Sequence, residues 1–475
     1  MKYVSRCLFI LMCLTLSGIL SSAQPKPSPS QLAWHDMEYY FFFHFGPNTF
    51  TDLEWGHGTE PADMFNPTEL DCRQWVRTAK AAGAKGVIIT AKHHDGFCLW
   101  PSKYSTHTVR ESKWKNGKGD VLKELSAACK EYGMKFGVYL SPWDRNHPDY
   151  GTDKYNDVYV NMMKELFTNY GPIWELWWDG ANGEGPNGKM QVYDWDRFRK
   201  TVKELSPNTV VFSDIGPHIR WVGNESGIAG KTNWNTLDTA GFTPGKGGPS
   251  QDTLNAGNKY GKAWIPAECD VSIRPGWFYH EAEDNKVRTP ENLFDLWLKS
   301  VGRGANLLLN IPPDRRGKIH KNDSLALIGF RKLRDRAFKS DLLKGRKLHY
   351  VIDNWGNGGA DGRKFYIPKD IKSGFDKGLV HANDQMISFS KPTKINCIVL
   401  SERIINGQTI TGFRIMILNG GEKSEITGTT IGHKRILSFP AITAESIELY
   451  LTDMQNRDNL ASVSAYLIDE SLIEK

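Results

Sequence analysis

The chain has 475 residues, 40% of them hydrophobic and 24% charged, and a formal net charge of +6. That balance is ordinary for a soluble protein and is enough to bury one large core and a smaller one, so two domains are expected. No basic cluster accompanies the charge, which argues against a nucleic-acid partner.

Residues 1–23 open with Lys2 and Arg6, continue as an apolar run over 7–20 and end in Ser21, Ser22 and Ala23. This is the pattern of a secretory signal, and it predicts cleavage near Ala23 and export to the periplasm or the medium. The run is too short to span a bilayer comfortably, and the Pro/Ser-rich stretch 24–30 supplies no stop-transfer signal, so no membrane span is expected after cleavage. Beyond the leader stand Cys72, Cys98, Cys129, Cys269 and Cys397. They are widely spaced, odd in number and lack a CxxC pair, which argues against a disulfide scaffold or a zinc site.

From Trp34 to about Ala337 short apolar strands alternate with amphipathic helices, the pattern of parallel strands joined by helical crossovers. Strands are expected at 39–45, 86–90, 135–140, 173–178 and 210–213, with later ones at 263–267 and 306–311. Helices are expected at 72–82, 121–132, 158–170, 195–205 and 292–301, the first two closed by Gly83 and Gly133. An open doubly wound sheet would show a Gly-rich phosphate turn after its first strand, and none is present. The reading is an α/β fold, a (β/α)8 TIM-like barrel over 24–345. After Gly345 short β-rich runs at 348–353, 364–367, 397–400, 411–418 and 446–452 predict a C-terminal antiparallel β-sandwich over 346–475 that props the barrel.

Sixteen tryptophans, many in short runs with His, Asp and Gly, offer flat rings beside polar groups. Such rings suit the apolar faces of sugars, although they also fill cores. His44, His93, His94, Tyr139, Asp179, Asp214 and Glu268 all fall at or just past expected strand ends, the active-site face of such a barrel. Segment 175–180, Glu-Leu-Trp-Trp-Asp-Gly, places Asp179 directly after two indoles, where a carboxylate can stand at the base of a pocket filled by a sugar ring. Segment 92–97, Lys-His-His-Asp-Gly-Phe, pairs His93 with His94. Adjacent strand residues point to opposite faces unless the chain turns, and no further ligand follows at metal-binding spacing, so hydrogen bonding to sugar hydroxyls is expected and no metal or cofactor.

These segments, with Phe-His-Phe-Gly at 43–46, Glu54-Trp55 and Arg-Pro-Gly-Trp at 274–277, resemble the α-L-fucosidases of glycoside hydrolase family 29. The likeness spans the whole barrel in the family's order. It implies retaining hydrolysis of terminal α-L-fucose from a fucosylated oligosaccharide or glycoconjugate, with Asp179 as nucleophile. Segment 220–225, Arg-Trp-Val-Gly-Asn-Glu, is similar to the acid/base segment of the branch that cuts α-1,3 and α-1,4 fucose from Lewis-type glycans, which implies Glu225 as acid/base. Glu225 would then be kept protonated by apolar neighbours such as Trp221. Glu268 is the rival, because many retaining barrel enzymes carry their two carboxyls after the fourth and seventh strands. By resemblance His44, Glu54, Trp55, His93, His94, Tyr139 and Trp177 hold hydroxyls or pack the ring, Glu268 helps shape the sugar or leaving-group site, and Arg274 and Trp277 complete the wall. An α-L-galactosidase and a catalytically inactive glycan-binding barrel are the competing readings.

Overall fold

The computed structural model describes residues 24–346, 348–352, 364–366, 384–454 and 460–473. The expected leader lies outside them, as do positions 353 and 367 at the ends of two expected strands.

A short helix α1 (Pro29–His35), capped by the Ser28 hydroxyl, leads into the first strand, β1 (Tyr39–Phe43). Seven parallel strands follow: β2 (Gly86–Lys92), β3 (Lys135–Leu140), β4 (Ile173–Trp177), β5 (Val210–Ser213), β6 (Ile219–Trp221), β7 (Ala267–Ser272) and β8 (Asn306–Asn310). β1 pairs with both β2 and β8, so the sheet closes into an eight-stranded barrel. Strands of this kind are buried on both faces and read as unbroken apolar runs, as in the Tyr-Tyr-Phe-Phe-Phe of β1. Tyr40 and Phe42 turn inward to meet Tyr139, Trp177, Phe212 and Leu308. Tyr39, Phe41 and Phe43 turn outward to the helices.

The covering helices are α2 (Cys72–Ala81), α3 (Val121–Tyr132), α4 (Asp153–Asn169), α5 (Trp195–Leu205), α6 (Pro290–Lys299) and α7 (Lys321–Ala337). Asp71, Asp120 and Asp194 accept a backbone N–H at the starts of α2, α3 and α5, and Gly133 closes α3 at φ +68°. Between β5 and β6 five residues suffice, because β6 starts level with the end of β5: Phe212 pairs with Ile219.

One expected strand moves. Residues 263 and 264 form a small antiparallel ribbon with Thr236 and Leu237, and the seventh barrel strand begins at Ala267. Its inward positions are Glu268, Asp270 and Ser272, alternating with outward Ala267, Cys269 and Val271. A polar inner face hides the strand from a search for apolar runs, which stops at the preceding Ala-Trp-Ile-Pro-Ala.

The C-terminal region is an antiparallel sheet of β9 (Leu348–Ile352), β10 (Lys364–Tyr366), β11 (Asp384–Glu402), β12 (Ile410–Asn419), β13 (Glu422–Gly428), β14 (Arg435–Met454) and β15 (Leu460–Tyr466). Register shifts between Ser388 and Thr393 and between Ile395 and Cys397 interrupt the long β11, and Ile387, Ile395, Ile398, Ile415, Ile447 and Leu449 share one apolar core. The sheet also packs on the barrel. Cys397, Ile436 and Ile468 join the barrel's outer core, and Gln408 accepts from Asn235 N at 2.8 Å while donating to Asn233 O at 3.0 Å.

One buried ion pair fixes the loops after β2 and β3. Lys92 Nζ lies 3.2 Å from Asp144 Oδ2, both side chains essentially without solvent contact. Lys92 also donates to Trp143 O, and Tyr155 Oη bridges the pair. Burial pushes the Asp144 carboxyl up, but Lys92 and the His147 and Asn146 amides more than offset this and hold it below the usual range. Removing one partner of such a pair strands the other charge. Lys92→Met is therefore expected to lower unfolding free energy by about 3–5 kcal/mol. Urea denaturation measures it, and a loss below about 1 kcal/mol would show that the pair is not what holds these loops.

Candidate active site

The C-terminal mouth of the barrel collects most of the expected residues. Asp179 stands two residues past β4, its side chain 27% exposed. Its Oδ2 accepts from the Tyr139 hydroxyl at 3.0 Å and its Oδ1 from Ala181 N at 2.8 Å, which fixes the carboxylate's orientation. His94 Nε2 lies 3.7 Å from Oδ2. On its other side His94 Nδ1 meets Ser141 Oγ at 2.7 Å, and that hydroxyl donates to Trp143 O at 2.8 Å. The serine proton is thus committed, so Nδ1 carries the hydrogen and Nε2 presents a lone pair toward the cleft. Burial lowers the His94 pKa to about 4, partly opposed by Asp179, so the ring is neutral near pH 7.

His44 repeats the arrangement. Its Nδ1 lies 2.8 Å from Asn310 Oδ1, and Asn310 Nδ2 donates to Ser272 Oγ and Trp277 O. Burial takes its pKa down to about 3. His93, with Nδ1 buried and without a partner among the described residues, stacks on Tyr139 and has its ring centroid 4.2 Å from that of His94. Neighbouring histidines share one cluster because β2 ends at Lys92 and the chain turns there, with Gly96 at φ +82°. Among the described residues no group of three or more His, Cys, Asp or Glu is placed to hold a metal ion.

Aromatic walls surround these groups. Trp277 lies 5.1 Å from the His44 ring and donates through Nε1 to Glu225 Oε2 at 3.2 Å. Trp55, 55% exposed, sets its edge against His94 and Trp143. Trp177 forms the floor, stacked on Phe212 at 3.9 Å and on Tyr139 at 5.4 Å. Trp178, the second indole before Asp179, points the other way, against Trp195 of α5.

Four expectations need correction. Glu225 is exposed rather than enclosed by apolar neighbours, because the chain leaves β6 as a loop after Trp221. Glu268 does not lie at a strand end: it is the second residue of β7, fully buried beneath Trp177, whose Nε1 donates to it at 2.7 Å. Arg274 does not reach the ring wall. Its Nε bonds both oxygens of Asp323 and its Nη1 bonds Asp284 at 2.9 Å, so it anchors the loop after β7. Glu54 is a clasp on that loop, accepting from Trp277 N at 2.8 Å, Phe278 N at 3.1 Å and His280 Nε2 at 2.6 Å.

Asp270, Asn310, Ser141 and Trp143 belong to the site and were not singled out in the sequence. Asp270 was hidden by the displaced strand. Its carboxyl is buried, Oδ1 has no partner among the described residues, and burial, then the charges of Glu225 and Glu268, push its pKa well above the usual range. The whole arrangement offers one anchored carboxylate, one exposed carboxylate held by an indole, neutral imidazoles with open acceptors, and flat apolar walls. That equipment suits a ring bearing hydroxyls on one side and carbon on the other.

Comparison with known proteins agrees with this chemistry. A family model for alpha-L-fucosidase matches residues 29–330. The chain is 39% identical to alpha-L-fucosidase 1 of Arabidopsis thaliana over 482 aligned residues, covering 97% of this chain and 93% of the relative. A crystal structure of a glycoside hydrolase family 29 member from an unknown rumen bacterium superposes with a TM-score of 0.83 at 39% identity, over 94% of this chain and 78% of that one. A family 29 fucosidase of Ruminococcus gnavus, solved in complex with fucose, superposes with a TM-score of 0.80 at 30% identity, over 96% and 98% of the two chains. The chain belongs to the α-L-fucosidases of glycoside hydrolase family 29 and is a hydrolase of that class.

Proposed function

We propose that the enzyme releases terminal α-L-fucose by double displacement with retention, Asp179 acting as nucleophile and Glu225 as acid/base. The observation that carries this reading is the pairing of an oriented carboxylate, Asp179 held by Tyr139 and Ala181, with an exposed one, Glu225 held by Trp277, at one barrel mouth. Asp179 attacks the anomeric carbon while Glu225 gives its proton to the departing glycosidic oxygen. A fucosyl ester results. Glu225, now a carboxylate, takes a proton from water; the water oxygen bonds to the anomeric carbon and Asp179 is released. The chemistry requires the two carboxyl groups to come within roughly 5–5.5 Å, too close for an interposed attacking water.

The neutral rings of His44, His93 and His94 accept hydrogen bonds from sugar hydroxyls, and Trp55 and Trp277 cover apolar surface. Glu54 and Arg274 act one step away by holding the loop that carries Trp277. The preferred substrates are α-1,3- and α-1,4-linked fucose on Lewis-type glycans, a reading supported by segment 220–225. Arg220, buried at its base, donates to the carbonyls of Leu254, Ile265 and Trp234 and so anchors the loop bearing Glu225. The leader at 1–23 supports export, and the contacts of Gln408 and Ile436 support a propping role for the C-terminal sheet.

Four measurements check this. Wild type is expected to release fucose from a Lewis-type trisaccharide faster than from 2'-fucosyllactose; the reverse order contradicts the linkage assignment. Asp179→Asn is expected to lower kcat by at least about 1000-fold, and azide is expected to restore turnover of an activated aryl fucoside by Glu225→Gln with retained configuration in the fucosyl azide. Rescue confined to Glu268→Gln would move the acid/base role to Glu268. His94→Ala should lower kcat/KM roughly 5- to 150-fold, the effect of about 1–3 kcal/mol for one unsatisfied buried hydroxyl, and an unchanged kcat/KM would remove His94 from the ring contacts.

A further inference from the structure

Two carboxyl groups stand inside the barrel beneath the site. Glu175 of β4 and Glu268 of β7 are fully buried. Trp34 Nε1 donates to Glu175 Oε2 at 3.1 Å; Glu268 accepts from Trp177 Nε1 at 2.7 Å through Oε1 and from the Tyr40 hydroxyl through Oε2. The two carboxyls act on each other electrostatically, and Glu175 Oε1 is buried without a hydrogen-bond partner among the described residues. Both Glu268 oxygens already accept, so the proton of the pair is assigned to Glu175, whose Oε1 is otherwise unpaired. Burial pushes Glu175 well above the usual carboxyl range and Glu268 up to about 7, so neighbouring charge and burial together keep a proton here at neutral pH. The groups that face the pair are the Tyr40 hydroxyl from β1, the Trp34 indole from α1, the Trp177 indole from β4 and, one pleat higher on β7, the Asp270 carboxyl. None is a cation.

The pair is connected to the chemistry. Trp177, held by Glu268 through its N–H, stacks between Phe212 and Tyr139, and the Tyr139 hydroxyl holds Asp179 at 3.0 Å. We infer that the Glu175–Glu268 pair is a positioning element of the active site: it sets the Trp177 ring, and through Tyr139 the aim of Asp179. The inference rests on Asp179 being the nucleophile. A simple hydrocarbon filling would pack the same volume but would leave the Trp177 N–H without an acceptor and the ring free to turn about its stacking axis.

The pair can be tested through its proton. Glu175→Gln supplies an amide N–H in place of the acid proton and cannot ionise, whereas Glu268→Gln places an amide donor where two donors already converge. Activity of both variants is read on an activated aryl fucoside beside Asp179→Asn, with circular dichroism to check folding. Glu268→Gln is expected to lose about 10- to 100-fold in kcat with KM changed less than about threefold. Glu175→Gln should keep kcat within about threefold at pH 6 and fall less than wild type between pH 6 and 8.5, because wild type drives two buried anions together as the proton leaves. The stability sign agrees: a raised native pKa means the unfolded chain releases the proton first, so wild-type Tm declines as pH rises from about 4.5 to about 7, and Glu175→Gln flattens that decline. An unchanged kcat in Glu268→Gln, or Glu175→Gln pH profiles of kcat and Tm that superimpose on wild type, would overturn the inference. Should Asp179→Asn retain hydrolysis, the nucleophile assignment fails instead, and the inference falls with it.

Discussion

Eight parallel strands close into a barrel only if the side chains that point inward fill its interior, and here aromatic rings do most of the filling. Tyr40, Phe42, Tyr139, Trp177 and Phe212 come from four different strands, and their edges and faces interlock in contacts such as the 3.9 Å stack of Trp177 on Phe212. The upper surface of that packing is the floor of the cleft. A sugar ring would rest on the barrel's own core, and Asp179, in the loop just past β4, is tied to that close packing through the Tyr139 hydroxyl. The polar handles of the same rings run downward to Glu268 and upward to Asp179, which ties the buried carboxyl pair to the proposed nucleophile.

Charge is divided between groups that hold loops and groups that stay open to solvent. Lys92 with Asp144, Arg274 with Asp323 and Asp284, and Arg220 among backbone carbonyls are buried and spend their hydrogen bonds on fixing loops. Asp179 and Glu225 keep contact with solvent, each held by one aromatic donor, Tyr139 or Trp277. The imidazoles are neutral by burial, and their outer hydrogen bonds to Ser141 and Asn310 leave acceptors facing the space where hydroxyls would arrive.

Much of this was legible in the sequence where the pattern is local. The run of β1, the strand ending in Trp-Trp-Asp and the His-His pair announce a barrel mouth because period and composition change at the strand ends. What escaped depends on distance. Arg274 reads as a wall residue until Asp323, 49 positions away, is found against it. Glu268 and Asp270 were misplaced or unseen because β7 turns acids inward, the reverse of the apolar signal that locates a strand. Trp178 and Trp177 look equivalent in sequence, yet the two-residue period of a strand sends one to the helices and the other to the cleft.

The proposed mechanism requires a covalent bond between Asp179 and the anomeric carbon. Trapping with a 2-deoxy-2-fluoro fucosyl fluoride, which forms the ester quickly and releases it slowly, followed by peptide mapping by mass spectrometry, tests this directly. A single fucosyl adduct on Asp179 is the predicted result. An adduct on Glu225 or Glu268, or full turnover with inverted product and no adduct, would contradict it.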